Sequence, residues 1–170
     1  MIIDLSEIEG PSRQFDFVSS PDDLDLETIG FTIIGDVRAR GEVSARAAQI
    51  DVSGSIRAEA KVECTRCLAA VPQELVIDFA VGFVKPENFS SDKEREVSVD
   101  DLDTDVLDSD RIDVKEMVRE QILLNVPEQV FCKPDCRGLC PKCGGDLNLI
   151  DCNCDLSETD PRWAALKNLR

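Results

Sequence analysis

The sequence predicts an α+β fold: an antiparallel β-meander of barrel-like form, one packed helix, a cysteine-rich tail and a short C-terminal helix. Three observations predict it. Apolar residues alternate with polar ones between Phe31 and Val84, one capped helical pattern starts at Asp113, and six cysteines crowd the stretch from Cys132 to Cys154. The 170 residues are 42% hydrophobic but only 5% aromatic, with one Trp and no Tyr, which suits a single ordinary core built from Val, Ile, Leu and Ala. The expected division is an α+β domain over 1–131, carrying an acidic loop at 86–110, and a tail over 132–170 packed on it.

Residues 1–12 read as an irregular or edge segment. Gln14 to Val18 reads as a short strand, and Ser19 to Glu27 as a polar, acidic loop. The meander follows from Phe31 to Val84. Its clearest stretch is Ser55 to Glu63, where Ile56, Ala58, Ala60 and Val62 alternate with Arg57, Glu59, Lys61 and Glu63, giving one buried and one wet face. Leu75, Ile77, Phe79, Val81 and Phe83 repeat the pattern. Val43, Ala45 and Ala47 slip to Ala48, Ile50 and Val52, which predicts a bulge, and Ser53-Gly54 predicts a turn. Asp113 with Glu116 forms a D-x-x-E helix start; the helix would bury Val114, Met117, Val118 and Ile122 and end before Pro127. Asp160-Pro161 opens a last helix that points Trp163, Leu166 and Leu169 one way.

Charge is distributed unevenly. The formal net charge is −16, and Pro86 to Asp110 alone holds ten acids against Lys93 and Arg95. Val37 to Leu68 has six bases and four acids, and Cys132 to Arg170 has six of each. The acid is thus concentrated away from the cysteines, and a uniformly acidic chain would repel nucleic acid. MIIDLSEIEG has no basic segment leading into an apolar run, so no secretory signal is expected there. No apolar stretch approaches the roughly 20 residues of a membrane span. A cytoplasmic location is expected, where structural disulfides are rare and eight cysteines read as metal ligands.

A C-x-x-C turn brings two thiolates to the spacing that a tetrahedral Zn²⁺ requires. Cys64-Thr-Arg-Cys67 falls between two strands, hence at a hairpin tip. The chain has no histidine, so a closed site is all-cysteine or borrows a carboxylate. Eight cysteines make two Cys₄ sites and predict two zinc ions. Cys140, Cys143, Cys152 and Cys154 close a short loop at little entropic cost, which leaves Cys64 and Cys67 to meet Cys132 and Cys136. The rival grouping joins Cys64 and Cys67 to Cys140 and Cys143 in zinc-ribbon style. Closed Cys₄ sites staple folds, whereas catalytic zinc keeps an open position. Apparent binding of ~10–16 kcal/mol would order a tail that lacks its own core. Redox dithiol chemistry would use one pair and leave six cysteines over. An iron–sulfur cluster is the alternative occupant.

ECTRCL, VPEQVFC, CRGLCPKCGGDLN, CNC and DPRWAALKNL together resemble the YceD family, the large ribosomal RNA subunit accumulation proteins. The resemblance runs from about Gly41 to the end. It implies a non-enzymatic factor that supports accumulation of large-subunit ribosomal RNA and ribosome assembly by binding the precursor RNA. Arg57, Lys61, Arg66, Arg137 and Lys142 are the bases placed to meet phosphates, although a solvated strand face with internal ion pairs is the plainer account of each. The alternative partner is a basic ribosomal protein, escorted by the acids of 86–110. Enzymatic machinery is not expected: there is no histidine to act as base, no Gly-rich phosphate loop and no G-x-S-x-G nucleophile.

Overall fold

The computed structural model describes residues 1–8, 10–26, 30–46, 49–86, 104–154 and 162. The chain divides into two compact units, Met1–Val62 with Pro72–Pro127, and Glu63–Val71 with Glu128–Arg170. The first unit is built on strands β2 (Ser12–Ser19), β3 (Phe31–Ala45), β4 (Gln49–Glu63), β5 (Ala70–Val84) and β6 (Thr104–Val106), hydrogen-bonded in the order β2-β3-β4-β5-β6. The far ends of β4 and β5 belong to the second unit. A smaller two-stranded sheet pairs β1 (Ile2–Asp4) with β7 (Arg111–Asp113), and α1 spans Val114–Asn125.

Alternation puts Ile56, Ala58, Ala60 and Val62 of β4 inside, with Leu75, Ile77 and Phe79 of β5. Val81 and Phe83 are only half-buried. Each aliphatic side chain withdrawn from water as fully as Ile56, Val37 or Val52 contributes about 1.5–3 kcal/mol. The meander is antiparallel from β2 to β4, but β6 adds to β5 in parallel, pairing Gly82 with Thr104 and Val84 with Val106. Among the described residues the sheet does not close into a barrel, because there β2 is paired only with β3, and β6, three residues long, only with β5. Alternation specifies a half-buried strand without specifying whether the sheet's edges meet.

Four further expectations are corrected. The slip after Val43 is a hairpin rather than a bulge, with Ala45 opposite Ile50 and the Arg46 N–H donating to the Gln49 carbonyl at 2.8 Å. Ala47 and Ala48 lie outside the described residues. Ser53-Gly54 is no turn: it sits mid-strand, where Gly54 faces Gly41. The true irregularity in β3 lies between Ile34 and Arg38, where the register shifts around Gly35 at φ 68°. The acidic loop ends earlier than Asp110, since Thr104–Val106 is strand β6 and Lys85 Nζ meets Asp110 Oδ1 at 2.8 Å. Residues 87–103 lie outside the described residues, as does the C-terminal helix expected from Asp160. The segment from Ser19 to Glu27 is not simply polar, because Leu24 and Leu26 are buried.

Helix α1 buries the four side chains its periodicity picks out, Val114, Met117, Val118 and Ile122. The Asp113 carboxylate accepts from the Lys115 N–H at 3.0 Å, and Val126 closes the last turn onto the Ile122 carbonyl. Glu116 Oε1 takes a hydrogen bond from Arg119 at 3.4 Å, so Asp113 supplies the cap. Asp113→Ala is therefore expected to lower stability by about 1 kcal/mol in urea unfolding, and Asp113→Asn by less. Among the described residues no helix is long and apolar enough to cross a membrane.

Candidate metal centres

The hairpin between β4 and β5 is drawn tight by the Cys64 N–H to the Ala69 carbonyl at 2.8 Å and the Leu68 N–H to the Cys64 carbonyl at 2.9 Å. Leu68 adopts φ 61°, a left-handed conformation unusual for a branched side chain. A second loop, Cys132 to Cys136, closes by the Cys136 N–H to the Lys133 carbonyl at 3.1 Å. The two are laced together. Thr65 donates both its N–H and its hydroxyl to the Val130 carbonyl at 2.8 Å, and the Arg66 guanidinium donates to the Cys136 carbonyl at 2.9 Å. The Leu139 N–H meets the Arg66 carbonyl at 3.0 Å. Gly138 is at φ 75°, and a Cβ there would stand 2.9 Å from the Arg66 carbonyl oxygen, so glycine is required by conformation and by space.

This lacing gathers the sulfurs of Cys64, Cys67, Cys132 and Cys136 within 4.8 Å of one another, with Cys64 to Cys136 at 3.8 Å and Cys67 to Cys132 at 3.6 Å. A second tetrad, Cys140, Cys143, Cys152 and Cys154, is equally close; Cys140 to Cys152 is 3.4 Å and Cys143 to Cys152 is 3.5 Å. Four sulfurs about 2.3 Å from a tetrahedral Zn²⁺ have edges of about 3.8 Å, so both tetrads fit such an ion. The separations are far beyond a disulfide bond, and all eight cysteines are free thiols. The zinc-ribbon grouping of Cys64 and Cys67 with Cys140 and Cys143 is not what the structure brings together.

The second tetrad rests on another knuckle. The Gly144 N–H meets the Cys140 carbonyl, and the Cys140 N–H meets the Gly145 carbonyl, each at 2.8 Å, with Gly144 at φ 72°. A turn over Asp146 to Ile150 then returns the chain, and the Cys154 N–H points at the Cys152 sulfur at 3.4 Å. Asn148, in that turn, reaches the first tetrad. Its amide donates to the Cys136 sulfur at 3.4 Å and to Asp146 at 2.7 Å, while its oxygen accepts the Arg137 N–H at 2.9 Å. Sequence reasoning missed Asn148, although it closes the quoted stretch CRGLCPKCGGDLN. The tetrads differ in exposure: Cys64, Cys67 and Cys136 are buried, whereas in the second only Cys140 is.

The sulfurs are electrostatically unequal. Burial pushes the Cys64 thiol up, but the N–H groups of Arg66, Cys132 and Cys67 outweigh it and bring it down to about 6. The N–H groups of Cys143 and Lys142 bring Cys140 down to about 6 as well. Cys132 is pushed up to about 12 by its contact with the Cys67 sulfur and by burial, and Cys154 to about 12 by the Cys152 and Cys143 sulfurs. Cys64 and Cys136 in the first tetrad and Cys140 in the second lie below the ordinary thiol range, and thiolate charge beside Cys132 and Cys154 opposes ionisation of those two. A divalent cation removes that opposition. Such an ion would be held by Cys64, Cys67, Cys132 and Cys136, and a second by Cys140, Cys143, Cys152 and Cys154. A closed set of four sulfurs offers no open position to a substrate.

The five bases named as phosphate contacts divide between the units. Arg57 and Lys61 lie on the exposed face of β4. Arg66 is bonded to the Cys136 carbonyl and stacks 4.5 Å over the Phe131 ring, and Arg137 reaches Asp151 at 3.3 Å. Lys142 is exposed inside the second knuckle. Arg66 and Arg137 thus have internal partners, although neither lies on a strand face. The Phe131 ring under Arg66 is itself 42% exposed.

The chain is similar to the uncharacterized protein YlbN of Bacillus subtilis, with 28% identity over 94% of this chain and 90% of that one. It shares 29% identity with an uncharacterized protein of Mycobacterium tuberculosis, over 98% of this chain and 79% of its relative. A shorter stretch, 35% of the chain, is 36% identical to 18% of the chloroplastic large ribosomal RNA subunit accumulation protein YCED homolog 1 of Arabidopsis thaliana. No solved structure matches. The family model described as large ribosomal RNA subunit accumulation protein YceD matches residues 52–170, a span that takes in both cysteine tetrads, and the chain belongs to the YceD family.

Proposed function

We propose that the chain is a non-enzymatic factor for accumulation of large-subunit ribosomal RNA and ribosome assembly, acting in the reducing cytoplasm by binding the precursor RNA. The family match over 52–170 carries this reading, and the plant relative bears the same description. Two zinc ions serve as structural staples, one per tetrad, which agrees with closed four-sulfur sites that suit scaffolding better than catalysis. Arg57, Lys61, Arg66, Arg137 and Lys142 are the proposed phosphate contacts. Crosslinking in growing cells tests the reading: one large-subunit ribosomal RNA segment should be enriched on the protein. Recovery of protein partners with no RNA would overturn it.

One observation favours a second reading, escort of a basic ribosomal protein. Four thiolates around a divalent ion keep a net charge of about −2, so each loaded centre adds to the chain's −16 instead of relieving it. Together with the acids of 86–110, that charge attracts Lys/Arg-rich clients. Replacing the carboxylates of residues 87–103 by their amides separates the readings while keeping the length of chain that joins the parallel strands β5 and β6. Escorting predicts that the replacement abolishes client binding; RNA binding predicts that RNA affinity is unchanged or improved.

A further inference from the structure

The register shift in β3 creates a feature on the wet face of the first unit that the five proposed contacts do not explain. Ile34 pairs with Glu59 and Arg38 with Arg57, so Gly35, Asp36 and Val37 of β3 stand against Ala58 alone in β4. Val37 and Ala58 are buried, and Gly35 takes the left-handed φ that lets the strand swing outward. The result is an open depression of about 360 Å³ whose lining includes Arg38, Arg57, Asp36, Glu59 and Glu74.

Arg38 and Arg57 are directly opposed across the two strands, and both are exposed. Like charges in that position repel. Neighbouring Arg40 is relieved by Asp16 at 2.9 Å, but among the described residues neither Arg38 nor Arg57 has an ion-pair or hydrogen-bond partner. The carboxylates of Asp36, Glu59 and Glu74 line the same depression without pairing with either guanidinium. Two unpaired, planar, permanently charged forks facing one space suit one tetrahedral oxyanion, each fork able to give parallel N–H bonds to it.

We propose that Arg38 and Arg57 form a phosphate-binding notch that takes a single phosphodiester group of the RNA backbone. This rests on the RNA-binding reading above and adds Arg38, together with the bulge that positions it. The surrounding carboxylates restrict the notch to one phosphate, since a run of phosphates laid along the strands would meet Asp36, Glu59 and Glu74. The site therefore sets the register of an RNA strand and does not read its bases.

The test uses the full chain, the ribosomal RNA segment recovered by crosslinking, and inorganic phosphate. Arg38→Gln/Arg57→Gln should weaken RNA binding by about tenfold and reduce the slope of log affinity against log salt by about 1. Arg13→Gln/Arg46→Gln removes the same charge elsewhere on the sheet, and it should change both much less. Arg57→Glu supplies a partner for Arg38, so it should keep or raise Tm while weakening RNA binding by more than tenfold. Equal effects of the notch and control pairs would overturn the proposal while leaving RNA binding intact. If the parent protein binds no RNA, both readings fall. Phosphate-dependent NMR shifts of the Arg38 and Arg57 side-chain N–H groups in that case would mark an oxyanion site of another class, which also overturns the RNA assignment.

Discussion

Cys64→Ser with Cys136→Ser is expected to remove one bound metal ion per chain and to unfold the loops from Cys64 to Ala69 and from Cys132 to Leu139. The reason lies in what the second unit has for a core. Among the described residues its buried cluster is Cys64, Cys67 and Cys136, with Val71 and Leu139 packed against them, so the ligands themselves make up much of that interior. Among the described residues no comparable cluster of aliphatic side chains stands behind them, and structural zinc sites typically supply ~10–16 kcal/mol of apparent binding free energy. Serine keeps the size but not the thiolate, and a hydroxyl is a poor ligand for zinc. Native mass spectrometry should count two zinc ions in the parent and one in the double variant. Amide NMR dispersion should collapse for these loops, while the resonances of β2, β3 and α1 persist. Cys143→Ser with Cys152→Ser should remove the other ion with a milder loss of order, because only Cys140 of that tetrad is buried. Dispersed loop resonances in fully metal-stripped parent protein would sink the account.

The cysteines show how much of the site could be read without coordinates. Loop length favours the second tetrad over the zinc-ribbon alternative without excluding that alternative, since Cys140 and Cys154 are near neighbours in sequence. That Cys64 and Cys67 meet Cys132 and Cys136 follows by elimination once eight free ligands are assumed. Nothing in spacing reveals Asn148, whose amide reaches the Cys136 sulfur across a turn, or the stacking of Arg66 on Phe131. Both depend on three-dimensional closure. In the fold, Ile56 to Val62 and the α1 face were legible because burial repeats with the local period. Closure into a barrel was not, because alternation is a property of each strand and closure is a property of which edges meet. Parallel addition of β6 was illegible for a similar reason: three residues, Thr104 to Val106, in an acidic stretch carry no period to count.

Gly54 was misread as half of a turn, and its true role makes the largest expected stability effect in the first unit. Gly54 of β4 faces Gly41 of β3, and Gly41 in turn faces Phe15 of β2, whose buried ring covers the position where a side chain would be. A Cβ on Gly54 would run into the Arg40 carbonyl oxygen and stand 2.7 Å from the Gly41 Cα. Both are backbone atoms in a paired strand, so relief requires β3 and β4 to part locally. Gly41→Ala meets one backbone atom, the Ser53 carbonyl oxygen, where Gly54→Ala meets three, and its other contact is the Phe15 ring, with Cζ at 2.7 Å; the ring is able to turn away, the carbonyl is not. Gly35→Ala meets nothing within 4 Å and bears only the strain of a positive φ. The expected order of destabilisation is Gly54→Ala, then Gly41→Ala, then Gly35→Ala. The first should cost about 3 kcal/mol, or roughly 10 °C in Tm, and the last about 1 kcal/mol. Urea unfolding of the three variants measures this directly. If Gly35→Ala proved the most damaging, conformation rather than close strand approach would govern these glycines.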